Sequence, residues 1–170
     1  MIDPVCRILC LGDVVGRPGV RGVERHLPEW RARLGADLVV VNAENACDGS
    51  GLTVGIMRKL QAAGCRSILL TERGTTFGYH NLVVDMRGIP EMKETGHPVI
   101  FDVTHSVQRP AAQGTCSGGD RELAPTLARA AVAAGANGVF IETHPDPDNA
   151  LCDASTMLPT AEVPRLLERL

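Results

Sequence analysis

Short apolar runs alternate with longer stretches of mixed polarity along the whole chain. The runs occupy residues 7–11 (RILCL), 37–41 (DLVVV), 67–71 (SILLT), 98–103 (PVIFDV) and 138–142 (GVFIE). Each is continuous rather than alternating, and rich in Val, Ile or Leu. That is how a strand buried on both faces of a parallel sheet reads. The stretches between them predict helices at about 19–34, 53–63, 81–95, 121–134 and 161–170. Gly35, Gly64, Gly96 and Gly135 stand where helix C-caps belong, each two or three residues before the next run. The result is a succession of βα units, which predicts the α/β class with a parallel sheet and right-handed crossovers.

Length narrows the architecture. The chain has 170 residues with 44% hydrophobic content, enough for one well-buried domain. A complete (β/α)₈ barrel needs roughly 200 to 250 residues. Five βα units therefore predict either a partial barrel or an open doubly wound sheet. An incomplete barrel would leave strand edges and apolar faces uncovered, so a homo-oligomer is expected.

Charge and composition exclude several partners. Lys and Arg number 17 against 20 Asp and Glu, a net charge of −3, and aromatics are only 3%. Nucleic-acid binding demands a basic stripe or stacking platforms, so no nucleic-acid partner is expected. No stretch of about 18 apolar residues and no signal-peptide pattern occurs, which predicts a cytoplasmic protein without a membrane partner. Cys6, Cys10, Cys47, Cys65, Cys116 and Cys152 form no CxxC pair. Reduced and mostly buried thiols are the expectation. No nucleotide cofactor is indicated.

The polar chemistry follows the strands. In parallel α/β folds the carboxyl ends of strands are where ligands bind. Asp13 stands just past the first run, and Glu44 and Asn45 just past the second. Oxygen donors at neighbouring strand ends suit a hard divalent cation. Asp13 is equally placed to cap the helix that opens near Arg17-Pro18-Gly19. The stretch 7–64, with GDVVGRPG and the N-x-E-N-A segment, resembles the opening of the calcineurin-like metallophosphoesterases of the bacterial cyclic-nucleotide phosphodiesterase type. That resemblance implies Asp13, Glu44 and Asn45 as ligands of a dinuclear metal site that activates water against a phosphoester. The family's Gly-Asn-His motif after the third strand is absent; residues 71–74 read Thr-Glu-Arg-Gly.

Beyond residue 66 the signals change. Arg73 follows the third run among glycines and hydroxyls, a setting in which a guanidinium forks onto carboxylate or phosphate. Two long polar segments, 104–120 and 143–160, follow the fourth and fifth runs, and loops of that length are usually functional or disordered. His105, Glu142 and Asp153 lie where they can converge at the strand ends as an N,O,O metal site. A hydrogen-bonded structural histidine and a simple Pro-Asp-Pro-Asp turn at 145–148 are the bland alternatives.

TERGTTFGYHNLVVDM, PVIFDVTHSVQ, GTCSGGDRE and GVFIETHPDPDNALCDAS together resemble the 3-deoxy-D-manno-octulosonate 8-phosphate synthase family. The resemblance covers only that family's last three βα units, barrel strands six to eight. It implies an aldol-type condensation of phosphoenolpyruvate with arabinose 5-phosphate, a pentose phosphate. It also implies Arg73 and Gln108 in substrate binding, His105 and Asp153 in catalysis, and His105, Glu142 and Asp153 at the position of a divalent metal or a water. The early Gly-Pro-Cys loop, the strand-borne lysines and the pentose-phosphate segment of that family are missing. Lys59 and Lys93 both fall inside predicted helices, and Cys152 before Asp153 resembles the metal-independent branch.

Three readings follow: an incomplete or fused synthase, a metal-dependent phosphoesterase, and a non-catalytic α/β protein that binds phosphate through Arg73. The chain reads as one domain, 1–170, with a phosphoesterase-like segment over 1–65 and a synthase-like segment over 66–170.

Overall fold

The computed structural model describes residues 6–49, 51–65, 67–76, 79, 81–113 and 116–170, without the side chains of 111–113, 116 and 117. Phe77, Gly78, His80, Gly114 and Thr115, which belong to two of the motifs above, lie outside the described residues. So does the side chain of Cys116. The chain forms two compact units, Met1–Ser67 and Ile68–Leu170.

The N-terminal unit is built from β1 (Ile8–Leu11), α1 (Gly16–Leu34), β2 (Leu38–Val41) and α2 (Val54–Ala62). β1 and β2 pair in parallel, from Ile8 opposite Leu38 to Leu11 opposite Val41. Val20, Val23 and Leu27 recur along one face of α1 and are buried, packed with Leu9, Leu11, Val39 and Val41 of the strands. Gly35 ends α1 in the left-handed conformation, φ 59°, and its N–H bonds the carbonyls of Ala32 and Arg31. Thr53 opens α2 by accepting the Ile56 N–H at 3.2 Å.

Burial on both faces fails in this unit. Ile8, Leu38 and Val40 are 55%, 49% and 50% exposed. Side chains alternate across a strand, and the apolar cluster takes only the Leu9, Leu11, Val39 and Val41 face. The expectation of mostly buried thiols fails as well. Cys6, Cys10 and Cys152 are exposed and Cys47 and Cys65 half-buried, all as free thiols. Cys10 shares the uncovered face of β1, whereas burial pushes the Cys65 thiol up from its ordinary pKa.

The C-terminal unit opens with β3 (Leu70–Glu72), β4 (Thr75–Thr76), β5 (Leu82–Val83), α3 (Gly88–Lys93) and β6 (Val99–Asp102). It continues through β7 (Gln108–Gln113), β8 (Cys116–Gly119), α4 (Ala124–Ala133) and β9 (Gly138–Phe140). β10 (Thr143–His144), β11 (Leu158–Pro159) and α5 (Val163–Leu167) complete it. Three strands pair in parallel in the order β3-β6-β9. β6 is central and has the two-sided burial its sequence predicts: Val99 and Phe101 are wholly buried and Asp102 is 5% exposed. Ala124, Ala128 and Ala131 of α4 are also wholly buried in this core, with Ile89, Leu158 and Leu166 around them. Alanines at that spacing let the helix lie close against its neighbours.

The parallel α/β character holds, but the five strands divide between two parallel sheets, and among the described residues no barrel closes. Backbone groups decide this: β2 pairs with β1, and β3 with β6. The helix expected over 81–95 shrinks to Gly88–Lys93. Residues 82–83 pair antiparallel with β4, and the Asp85 carboxylate accepts the Arg87 N–H at 3.0 Å, turning the chain just before α3. The helix expected over 161–170 reduces to a 3₁₀ turn, Thr160–Glu162, and α5. Segment 104–120 is not a loop but a 3₁₀ turn, His105–Val107, leading into the antiparallel β7–β8 hairpin. Segment 143–160 carries β10 and β11, which pair in parallel. No helix among the described residues is long and apolar enough to cross a membrane.

Candidate functional site

The site begins where β6 ends. Asp102 is a carboxylate inside an apolar strand, and the next turn supplies its partners. Its Oδ1 accepts the His105 N–H at 2.9 Å and the Thr104 hydroxyl at 3.3 Å. Its Oδ2 lies 2.6 Å from His105 Nδ1. A carboxylate that bonds both the main chain and the ring of one histidine fixes the ring's orientation and directs Nε2 outward. That nitrogen faces Glu142, whose Oε2 is 3.6 Å away.

Glu142 is held by the neighbouring strand end, just past β9. Its N–H donates to the wholly buried Thr104 hydroxyl at 3.1 Å, and its carbonyl accepts the Leu158 N–H at 3.1 Å. Thr104 thus joins the two strand ends through one hydroxyl. Asp153 arrives from the segment between β10 and β11 in the left-handed conformation, φ 48°. Its carbonyl accepts the N–H groups of Thr156 and Met157 at 2.9 and 3.0 Å. Gln108, the first residue of β7, donates from Nε2 to Asp153 Oδ1 at 2.7 Å.

The charges of the site act on one another. The hydrogen bond from Asp102 raises the His105 pKa above its ordinary value; partial burial opposes it, and Glu142 adds to it. Burial raises the Glu142 carboxyl above the usual carboxylate range, with His105 opposing and Asp153 adding. Arg73 follows β3 at the same edge of the sheet and is half-buried. Its positive charge lowers the pKa of both His105 and Glu142, the smallest of the named influences on each.

His105, Glu142 and Asp153 each offer one ligand atom, and these atoms lie within 4.8 Å of one another. The Glu142 Oε2 atom is buried and accepts no hydrogen bond, a costly state for a carboxylate oxygen. An imidazole nitrogen and two carboxylates around such an orphaned oxygen suit a divalent cation. The four sequence-predicted residues His105, Glu142, Asp153 and Gln108 are brought together, and Arg73 is near enough for its charge to reach two of them.

The N-terminal set is arranged differently. Asn45 Nδ2 donates to both oxygens of Asp13 at 3.0 Å, while the Glu44 carboxylate is exposed and accepts from Asn42 Nδ2 at 3.0 Å. Asp13 does not cap α1: the N-cap is Val15, and no side chain bonds there. Among the described residues, the N-terminal unit brings no three His, Cys, Asp or Glu side chains together at metal-binding spacing.

Asp102 and Thr104 join the site only in the fold. Their signal was available: an acidic residue inside an apolar strand, followed at once by Thr and His, is an exception that burial makes costly unless it is partnered.

Comparison with known proteins places most of the chain in one family. The model of the DAHP synthetase I family matches residues 39–169. The 2-dehydro-3-deoxyphosphooctonate aldolase of Desulfosudis oleivorans is 60% identical over 116 residues, covering 68% of this chain and 42% of that protein. The aldolase of the same name from Trichlorobacter lovleyi is 56% identical over 115 residues, covering 68% and 42%. That of Nitratidesulfovibrio vulgaris is 60% identical over 114 residues, covering 67% and 42%. The chain thus spans 42% of the length of these curated relatives. With 39–169 matched and its strand-end residues assembled at one edge of a parallel sheet, the chain belongs to the DAHP synthetase I family.

Proposed function

We propose that the C-terminal unit carries the closing portion of an aldol-type synthase site of the 3-deoxy-D-manno-octulosonate 8-phosphate synthase kind, with phosphoenolpyruvate and arabinose 5-phosphate as substrates. The observation that carries this reading is the convergence of His105, Glu142 and Asp153 within 4.8 Å at the end of a parallel sheet whose neighbouring strand presents Arg73. In this reading Arg73 binds the phosphate or carboxylate of phosphoenolpyruvate through its fork of N–H donors. His105, Glu142 and Asp153 hold a divalent cation, which when bound supplies Lewis-acid polarisation and orients water. Asp102 keeps His105 Nε2 turned to the site, and Gln108 steadies Asp153. The remaining contribution is positioning and electrostatics.

The lysines confirm none of the family's strand-borne pattern: Lys59 lies in α2, and Lys93 in α3 donates to the Gly135 carbonyl at 2.7 Å. Substrate binding is therefore expected to outlast turnover in this chain. Calorimetric titration with phosphoenolpyruvate, wild type against Arg73→Ala, tests binding. Phosphate release in the presence of arabinose 5-phosphate and Mn²⁺ tests turnover. Heat lost in Arg73→Ala without phosphate release identifies a non-catalytic phosphate-binding protein. No heat from either phosphoenolpyruvate or Mn²⁺ removes the proposal.

A second reading, a metal-dependent phosphoesterase at Asp13, Glu44 and Asn45, rests on Asp13 and Asn45 meeting at neighbouring strand ends, where Asn45 Nδ2 bonds both Asp13 oxygens while Glu44 turns to Asn42. Its test is Mn²⁺-dependent hydrolysis of bis-p-nitrophenyl phosphate, abolished by Asp13→Ala. Self-association, read by light scattering on a sizing column, belongs to the proposal as well, since Ile8, Leu38 and Val40 leave an apolar strand face exposed.

A further inference from the structure

We infer that Arg121 is a positioning residue that straps down the segment bearing Asp153. Arg121 opens the 3₁₀ turn Arg121–Leu123 just before α4, so its backbone is anchored to the core helix rather than to the segment it reaches. Its Nη2 donates to the carbonyl of Ala154, the residue next to Asp153, and to Asp148 Oδ1 at 3.2 Å. The two bonds bracket Asp153 on either side in sequence. They differ in worth. The Asp148 side chain is 86% exposed, where an ion pair contributes little. The Ala154 bond is made by a charged donor to main chain and is part-buried.

Two further observations say that this strap has something to hold. Asp153 sits at φ 48°, in the left-handed region that aspartate enters more readily than most side-chain-bearing residues but still at a cost relative to extended or helical backbone. The Arg121 Nε is buried without an acceptor, so the hold of the guanidinium on this segment runs through Nη2. Gln108 holds the Asp153 carboxylate directly, and Arg121 holds the peptide that follows it. Together they place one carboxylate oxygen against His105 and Glu142. The inference rests on the proposed metal site for what the positioned carboxylate does; the strap itself rests on the contacts alone.

The test uses the full chain free of metal, then loaded with Co²⁺. Hydrogen exchange is read at Thr156 and Met157, whose N–H groups bond the Asp153 carbonyl. Arg121→Ala is expected to speed their exchange on the order of tenfold or more, as local opening becomes easier. Asp148→Asn is expected to leave it near wild type, and Arg121→Lys to restore part of the protection. With Co²⁺, Arg121→Ala is expected to weaken binding on the order of tenfold and to change the visible absorption bands, which a loss of stability alone would not do. Wild-type exchange in Arg121→Ala overturns the strap; faster exchange with unchanged Co²⁺ affinity and spectrum overturns the positioning role. If wild-type chain binds no Co²⁺ while Arg121→Ala still opens the segment, the strap stands and the metal reading falls. If Arg121→Ala does not fold, Arg121→Lys must still show faster exchange than wild type, and its failure to do so overturns the inference.

Discussion

Asp102 grips His105 at two points, accepting its main-chain N–H at 2.9 Å and meeting its ring Nδ1 at 2.6 Å. Both oxygens of the carboxylate are thereby committed to one histidine, and only Nε2 is left to face the site. The first prediction follows from that commitment. Asp102→Asn keeps the shape but removes the charge on the ring's partner. Partners of this kind tune metal affinity by roughly 10- to 100-fold, so Mn²⁺ binding measured by calorimetry should weaken within that range. Unchanged affinity would show that Asp102 does not orient the ligand.

The same pair makes stability depend on pH. The His105 pKa is raised above its ordinary 6.5, chiefly by Asp102, and the Glu142 pKa is raised above its ordinary 4.5, chiefly by burial. In both cases the folded chain holds the proton more tightly than the unfolded chain, so stability falls as pH rises through these values. The His105 contribution is fully present below 6.5 and is lost as pH passes the raised folded value. Thermal melting of the metal-free chain should therefore decline as pH rises above 4.5, through Glu142, and further above 6.5, through His105. In Asp102→Asn that decline should flatten.

Thr104 is wholly buried, and its hydroxyl serves as both donor and acceptor. Its hydroxyl donates to Asp102 at 3.3 Å and accepts the Glu142 N–H at 3.1 Å. Thr104→Val leaves the Glu142 N–H without its acceptor and should cost about 1–3 kcal/mol in chemical denaturation. Thr104→Ser, which keeps the hydroxyl, should cost less. No loss in Thr104→Val, which keeps the methyl and lacks only the hydroxyl, would show that the hydroxyl bridge does not stabilise the fold.

Gly119 ends β8 beside the segment that follows Asp153. A Cβ placed there would lie 2.1 Å from the Thr156 Cγ2, and Thr156 is wholly buried. Gly119→Ala should destabilise the C-terminal unit by about 1–3 kcal/mol, the usual range for overpacking. Thr156→Ser removes the obstructing methyl, so the double variant should recover part of the loss. Additive losses in the double-mutant cycle would place the clash elsewhere.

Legibility tracked how local each signal was. The span of α1 and its glycine cap were readable because helix periodicity and the demand for a positive φ at Gly35 act within a few residues. The 81–95 segment misled because its polar and apolar spacing suits a helix. In the fold, residues 82–83 gain ladder bonds from β4, and the Asp85–Arg87 bond delays the helix to Gly88. The continuous apolar runs of β1 and β6 look alike as strings. Only β6 lies between two neighbouring strands of a sheet and within the buried cluster, whereas β1 keeps Ile8 in solvent.

The candidate site divides in the same way. The α/β alternation and the residue types at the strand ends are legible in the chain alone, because burial pattern and motif are written in neighbouring positions. His105, Glu142 and Asp153 could be nominated from it as a ligand set. Their approach to within 4.8 Å, the grip of Asp102 on the ring, the hydroxyl of Thr104 between two strands and the reach of Arg121 to Ala154 were decided only in three dimensions. The reason is physical: parallel pairing sets β6 beside β9, so groups 38 residues apart, Thr104 and Glu142, become hydrogen-bonded neighbours. Strand order and register are properties of the whole sheet, and no single stretch of sequence encodes them.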